Sequence, residues 1–128
     1  MRDRELLEMA AKAYWGDEID DVVWLRWSDE DQSIAFTHGD NQDHNGNDRE
    51  LLWNPLIDDG DAFRLAVKLK MFLDLDGCNA ANSDDQLTVW FGGGDDEHAG
   101  VSHDECDPYA ATRLAIVRAA AEIGKAMP

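Results

Sequence analysis

Positive charge is what this chain has least of. Four lysines and seven arginines stand against 28 acidic residues in 128 positions, for a formal net charge of −17. That balance excludes the ordinary nucleic-acid binder, which must neutralise phosphates with cations. It equally disfavours attachment to an anionic membrane and favours attraction to basic surfaces. Cysteine is nearly absent. Cys78 and Cys106 make no disulfide framework, and free thiols in a reducing compartment are expected. No apolar run approaches the ~18 residues of a membrane helix, and the N-terminus lacks the apolar stretch of a secretory signal, so a cytosolic location is expected.

Apolar residues are not scarce. They make up 44 % of the chain and include five tryptophans, too many for a disordered polymer. The length suits a single domain, residues 1–128, around one core. The acid is unevenly placed. Residues 17–61 hold 14 acids against Arg26 and Arg49, and residues 74–107 hold ten acids and no lysine or arginine. Residues 62–73 carry Arg64, Lys68 and Lys70 with no acid. The charge therefore gathers in loops and strand ends, leaving the helical segments near neutral or basic.

Periodicity predicts a helix over 3–15, with Asp3 as its cap, stripes through Leu6, Ala10, Ala13 and Leu7, Ala11, Tyr14, and Gly16 as its stop. Residues 22–27 and 33–38 predict a hairpin. Both faces of 22–27 are apolar, so that strand is either covered twice or exposes Trp24 or Trp27. Residues 39–50 predict a long polar loop, followed by a brief extended segment over 51–56 that Asn54-Pro55 ends. Asp58, Asp59 and Asp61 open a helix reaching about Lys70, where carboxylates at the start and cations at the end suit the helix dipole without any functional cause. Strands are predicted at 71–76 and 87–91, a second acidic loop at 92–107, and a final helix over 108–126 started by Asp107-Pro108. Its apolar face holds Thr112, Ala115, Ile116, Ala119, Ala120 and Ile123, and its small residues predict close packing. The fold class is α+β in the order α-β-β-α-β-β-α, with a small, mostly antiparallel sheet against helices.

Four groups of residues invite a chemical reading. Asn41, Asp43, Asn45 and Gly46 match the first positions of a calcium loop, but Leu52 stands where the bidentate Glu belongs, and a solvated loop is the simpler reading. His98, His103 and Cys106, with Cys78, have no familiar zinc spacing. Ser102-His103-Asp104 has triad residue types, yet adjacency in sequence does not make triad geometry. Gly92-Gly93-Gly94 lacks the Lys-Ser/Thr of a phosphate loop and is followed by Asp95, Asp96 and Glu97, which repel phosphate. No metal, cofactor or catalytic residue is assigned, and the chain is not expected to be an enzyme.

The runs Arg4-Glu5-Leu6-Leu7 with Ala10-Ala11-Lys12-Ala13, Trp53-Asn54-Pro55-Leu56 with Asp58 to Ala62 and Arg64 to Leu69, and Ala111-Thr112-Arg113 with Ala115 to Gly124 resemble small accessory proteins encoded by bacteriophages and prophages of Gram-negative bacteria. The resemblance covers about half of the chain and supplies no catalytic residues. It implies action on host machinery, such as a CRISPR effector or a restriction enzyme, in the cytoplasm of a bacterial host.

With 20 Asp to eight Glu, the carboxylates are mostly short and lose little rotamer freedom when fixed. They suit a rigid array that stands in for phosphates. The leading expectation is an inhibitor that binds the basic surface of a nucleic-acid-binding host protein, without binding nucleic acid or membrane itself, as a monomer or small homo-oligomer. The residues expected to carry the contact are Asp17, Glu18, Asp20, Asp21, Trp24, Asp29, Glu30, Asp31, Asp40, Asp43, Asp48, Asp84, Asp85, Asp95, Asp96 and Glu97. Two alternatives stay open. One is an accessory protein that binds a structural or regulatory partner without mimicry. The other is adaptation of the surface to high salt, where ions screen self-repulsion.

Overall fold

The computed structural model describes residues 2–42, 45–46, 48–74, 86–90, 98–102 and 108–127; of these, 40–42, 48, 74, 86–90, 98–102 and 108 are described by their backbone alone. Helix α1 covers Asp3–Trp15. Its N-cap is Arg2, with no side-chain cap; Asp3, the expected cap, lies in the first turn, near the positive end of the dipole. Gly16, at φ 54°, ends the helix and donates its N–H to the Lys12 carbonyl.

A 3₁₀ turn over Gly16–Glu18 leads to strand β1, Val23–Ser28, which pairs antiparallel with β2, Ser33–Gln42. The polar stretch 39–50, expected as a loop, is largely strand. β2 runs on to Gln42, and β3, Asp48–Trp53, turns back along it. The pairing shifts register between Thr37 and Gln42 and resumes at Gln42–Asp48, while Gly39 bonds to Val22 on the other side, so paired neighbours override the weak strand preference of Gly, Asp and Asn. Asn54-Pro55 ends β3 as expected, and α2 follows over Asp59–Lys68. Strands β4 (Phe72–Asp74), β5 (Gln86–Trp90) and β6 (His98–Ser102) form a second antiparallel sheet, and α3 spans Pro108–Ala126. β6 lies within the segment expected as the second acidic loop, and the reason is again pairing with a neighbour.

The class is α+β, as expected. Among the described residues the strands form two three-stranded sheets, ordered β1-β2-β3 and β4-β5-β6, where one small sheet was expected. After α1 the chain runs twice through an antiparallel meander followed by a helix.

Helix α3 joins these parts, packing against α1, α2, β5 and β6. Ala115, Ile116, Val117, Ala119, Ala120 and Ala121 are all buried, a wider band than one apolar face, because α3 is covered on more than one side. α1 contributes Leu6, Leu7, Ala10, Ala11 and Trp15; α2 contributes Ala62, Leu65 and Ala66. The rings of Trp15, Phe36 and Trp53 close the space between α1 and the first sheet, with Trp15 5.0 Å from each of the other two. Tyr14 stacks edge-on to Trp15 at 4.9 Å.

α1 and α3 run side by side in the same direction: Met9 lies against Gly124, and Lys12 Nζ donates to the Met127 carbonyl at 3.0 Å. A Cβ on Gly124 would fall onto the Met9 carbonyl oxygen. Backbone-to-backbone contact of this kind admits only glycine. We therefore expect Gly124→Ala to lower stability by about 2–3 kcal/mol through overpacking. Helix propensity alone would raise it by roughly 1 kcal/mol, so the sign of the change in a urea titration separates the two effects. Glu122→Ala, at an exposed position of the same helix, should stay within about 0.5 kcal/mol of wild type.

Candidate functional site: the acidic edge of the first sheet

Among the described strands β1 lies at an edge, with β2 alone beside it. Gly39 N–H donates to the Val22 carbonyl at 3.0 Å, and the residue pairing that continues this register runs Trp24–Thr37 and Arg26–Ala35. In an antiparallel ladder the hydrogen-bonded residues alternate. The backbones of Val22, Trp24 and Arg26 therefore face β2, and those of Val23, Leu25 and Trp27 face away. The turn covers the first of these outward residues. Asp20, in the left-handed region at φ 67°, donates its N–H to the Val23 carbonyl at 2.8 Å. Leu25 and Trp27 have no backbone hydrogen bond on that side to any described residue.

Carboxylates bracket the strand. Asp17, Glu18, Asp20 and Asp21 precede it, and Asp29, Glu30 and Asp31 follow it; all seven are exposed. The second group is held in shape. Asp29 accepts from Trp27 Nε1 at 2.9 Å and Asp31 accepts from Ser28 Oγ at 2.9 Å, while Gln32, at φ 51°, donates through Nε2 to the Asp29 carbonyl. Two cations lie nearby, and each has its own acid: Arg4, whose guanidinium sits 5.5 Å over the Trp27 ring, pairs with Glu8, and Arg26 pairs with Glu50.

Trp24 is 47 % exposed and stands on the outer face of the sheet with Val22 and Arg26. That resolves the doubly apolar strand: one face packs inward through Val23, Leu25 and Trp27, and the other shows Trp24 to solvent. On this outer face Arg26 reaches across the middle strand to Glu50 with two bonds, of 2.7 and 2.5 Å, over the fully buried Ala35. The guanidinium holds the Glu50 carboxyl below the usual carboxylate range.

The acidic turn is fixed to the rest of the fold through Asn54, which is buried. Its Nδ2 donates to the Gln32 carbonyl and to Ser33 Oγ, its Oδ1 accepts from Leu56 N–H, and its own N–H donates to Asp61 Oδ2. Asp61, also buried, accepts from Arg64 through its other oxygen at 2.6 Å. Asp58 caps α2 by accepting from Gly60 N–H, and Asp59 pairs with Arg113 of α3. The three acids at the start of α2 are thus each engaged within the fold, Asp58 in a cap, Asp59 in an ion pair and Asp61 in a buried network.

Of the other expected contact residues, Asp40 lies on β2 and Asp48 on β3. Asp43, Asp84, Asp85, Asp95, Asp96 and Glu97 lie outside the described residues, as do Cys78, His103, Asp104, Cys106 and Gly92 to Gly94. Asn41, from the calcium-loop match, sits in β2, one residue before Gln42 pairs with Asp48. Among the described residues no group of three or more His, Cys, Asp or Glu is placed to hold a metal, and no helix is long and apolar enough to cross a membrane. Comparison of the chain with family models, with curated proteins and with solved structures gives no match. The sequence carries no local signal for the edge position of β1, because strand order depends on partners remote in sequence.

Two outcomes are expected. Asn54→Ala removes buried hydrogen bonds and leaves the Leu56 N–H unpaired, and should lower stability by roughly 2–4 kcal/mol in denaturant titration. In carboxyl ¹³C NMR, Glu50 should titrate below the ordinary glutamate range and return to it in Arg26→Gln. Because its folded pKa is depressed, its stabilising effect is present above the ordinary carboxylate pKa and disappears as pH falls through the folded value.

Proposed function

We propose that this protein is an inhibitor that docks its acidic edge into the cationic groove of a nucleic-acid-binding protein, its carboxylates taking the place of phosphates. The observation that carries the reading is the bracketed strand. Seven exposed carboxylates flank β1, an exposed tryptophan lies between them, and the neighbouring arginines are already paired. Six residues of strand span roughly 20 Å. The seven charges thus form two groups, one at each end of that span, so the edge presents concentrated negative charge at two points to a cationic groove. A field of this kind speeds encounter with a basic partner, and Trp24 offers the rigid aromatic contact that such interfaces concentrate their energy on. The resemblance to phage and prophage accessory proteins supports a host defence nuclease, a CRISPR effector or a restriction enzyme, as the target class.

A second surface favours a partner bound without mimicry. α2, α3 and Leu73 enclose an apolar cleft of about 480 Å³, lined by Phe63, Tyr109, Thr112 and Ile116. Phe63, Val67 and Phe72 are each more than half exposed, in the segment of the chain that carries Lys68 and Lys70. Contact there would be apolar and weakly dependent on salt.

Affinity capture from a bacterial lysate, with elution by a salt gradient, distinguishes the two. The expected captured protein binds nucleic acid, is displaced by duplex DNA, and loses at least about tenfold in affinity between 50 and 200 mM salt. The combined variant Asp20→Asn, Asp21→Asn, Asp29→Asn, Glu30→Gln should weaken the complex by a further factor of ten or more. A partner held equally well at both salt concentrations, and indifferent to DNA, would overturn mimicry.

A further inference from the structure

We propose that the outward edge of β1 binds an extended, basic peptide segment of the partner by strand addition, an inference that rests on the proposed docking to a cationic protein. The outward-facing backbone groups of Leu25 and Trp27 give two N–H donors and two carbonyl acceptors that have no partner among the described residues. An open row of this kind is a template for another strand.

Charge selects the occupant. The acids lie beyond both ends of the strand, four before it and three after it. A second copy of this chain adding through its own β1, in either direction, would set acid against acid at both ends, so the edge refuses itself. A segment with Lys or Arg at both ends and five or six strand-forming residues between them would place its cations on the two acidic turns, since an extended chain advances about 3.3 Å per residue. Backbone bonds would then supply the register. The cations would supply selectivity, and side chains on the outer face of the added strand would lie beside Trp24. An array of carboxylates alone asks only for positive charge; this edge asks for positive charge on an extended backbone.

The test uses the whole protein and a defined probe: an acetylated, amidated decapeptide with two lysines at each end of a Val-Thr-Val-Thr-Val-Thr centre. The control is the same peptide with N-methylated valines, equal in charge but without those backbone donors. At about 20 mM salt, where screening acts over roughly 20 Å, millimolar probe should slow amide hydrogen exchange at Leu25 and Trp27 at least tenfold. The methylated peptide should leave both amides unprotected. The variant Asp20→Asn, Asp21→Asn, Asp29→Asn, Glu30→Gln should weaken probe binding at least tenfold with the chain still folded by circular dichroism. Equal binding of the two peptides, protection that does not include Leu25 and Trp27, or no binding of the probe would each overturn strand addition. Equal binding that is lost in the charge variant would leave electrostatic docking intact, and the lysate capture tests that reading separately.

Discussion

The fold rests on the contact between α1 and α3, where Gly124 lies directly on the Met9 backbone. A chain of net charge −17 resists compaction through its own field. Opposing that field are short-range dispersion and apolar burial, which grow as backbones approach. The alanines of α3 permit that approach on several sides, so one helix holds α1, α2 and strands of the second sheet at once. The repulsive groups of β1's flanks stay at the periphery, and the helices that make the core are near neutral or basic. The charged surface is thus carried by a scaffold whose cohesion comes mainly from apolar packing.

Asn54 connects that scaffold to the acidic edge. A buried side-chain amide is tolerated when its donors and acceptor are satisfied. Here they are satisfied by the β1–β2 turn, by Leu56, and, through the backbone N–H, by the first turn of α2. The acids at 29–31 are therefore displayed from a turn tied to the core. Asp29 and Asp31 are further held by Trp27 and Ser28. A surface that imitates a fixed polyanion needs this kind of pre-ordering, because each side chain immobilised only on binding subtracts from affinity.

Two surfaces of opposite character follow from one chain. The edge of β1 is negative, with a single exposed indole between its charged ends, and the region of α2 and β4 is apolar with lysines nearby. Salt discriminates between partners for the two. The first weakens as counterions screen it, and the second changes little.

Much of the local structure was legible in the sequence. The helix over 3–15 with Gly16 as its stop, the capped start of α2, the hairpin of β1 and β2, and the apolar face of α3 all follow from periodicity, capping and small-residue content, which act over one or two turns. The two acidic blocks and the doubly apolar strand were visible as well. The polar ends of β2 and β3 and the strand β6 were not, because composition there argues for loop and only a paired neighbour makes a strand of it. The same limit hid the division into two sheets, the burial of Asp61 and the open edge at Leu25 and Trp27. By itself the sequence determined how much charge the chain carries and which short segments curl or extend, since those depend on neighbours along the chain. Only the tertiary structure decided which carboxylates are consumed in holding the fold and which face solvent along one edge, since that depends on residues brought together from positions far apart.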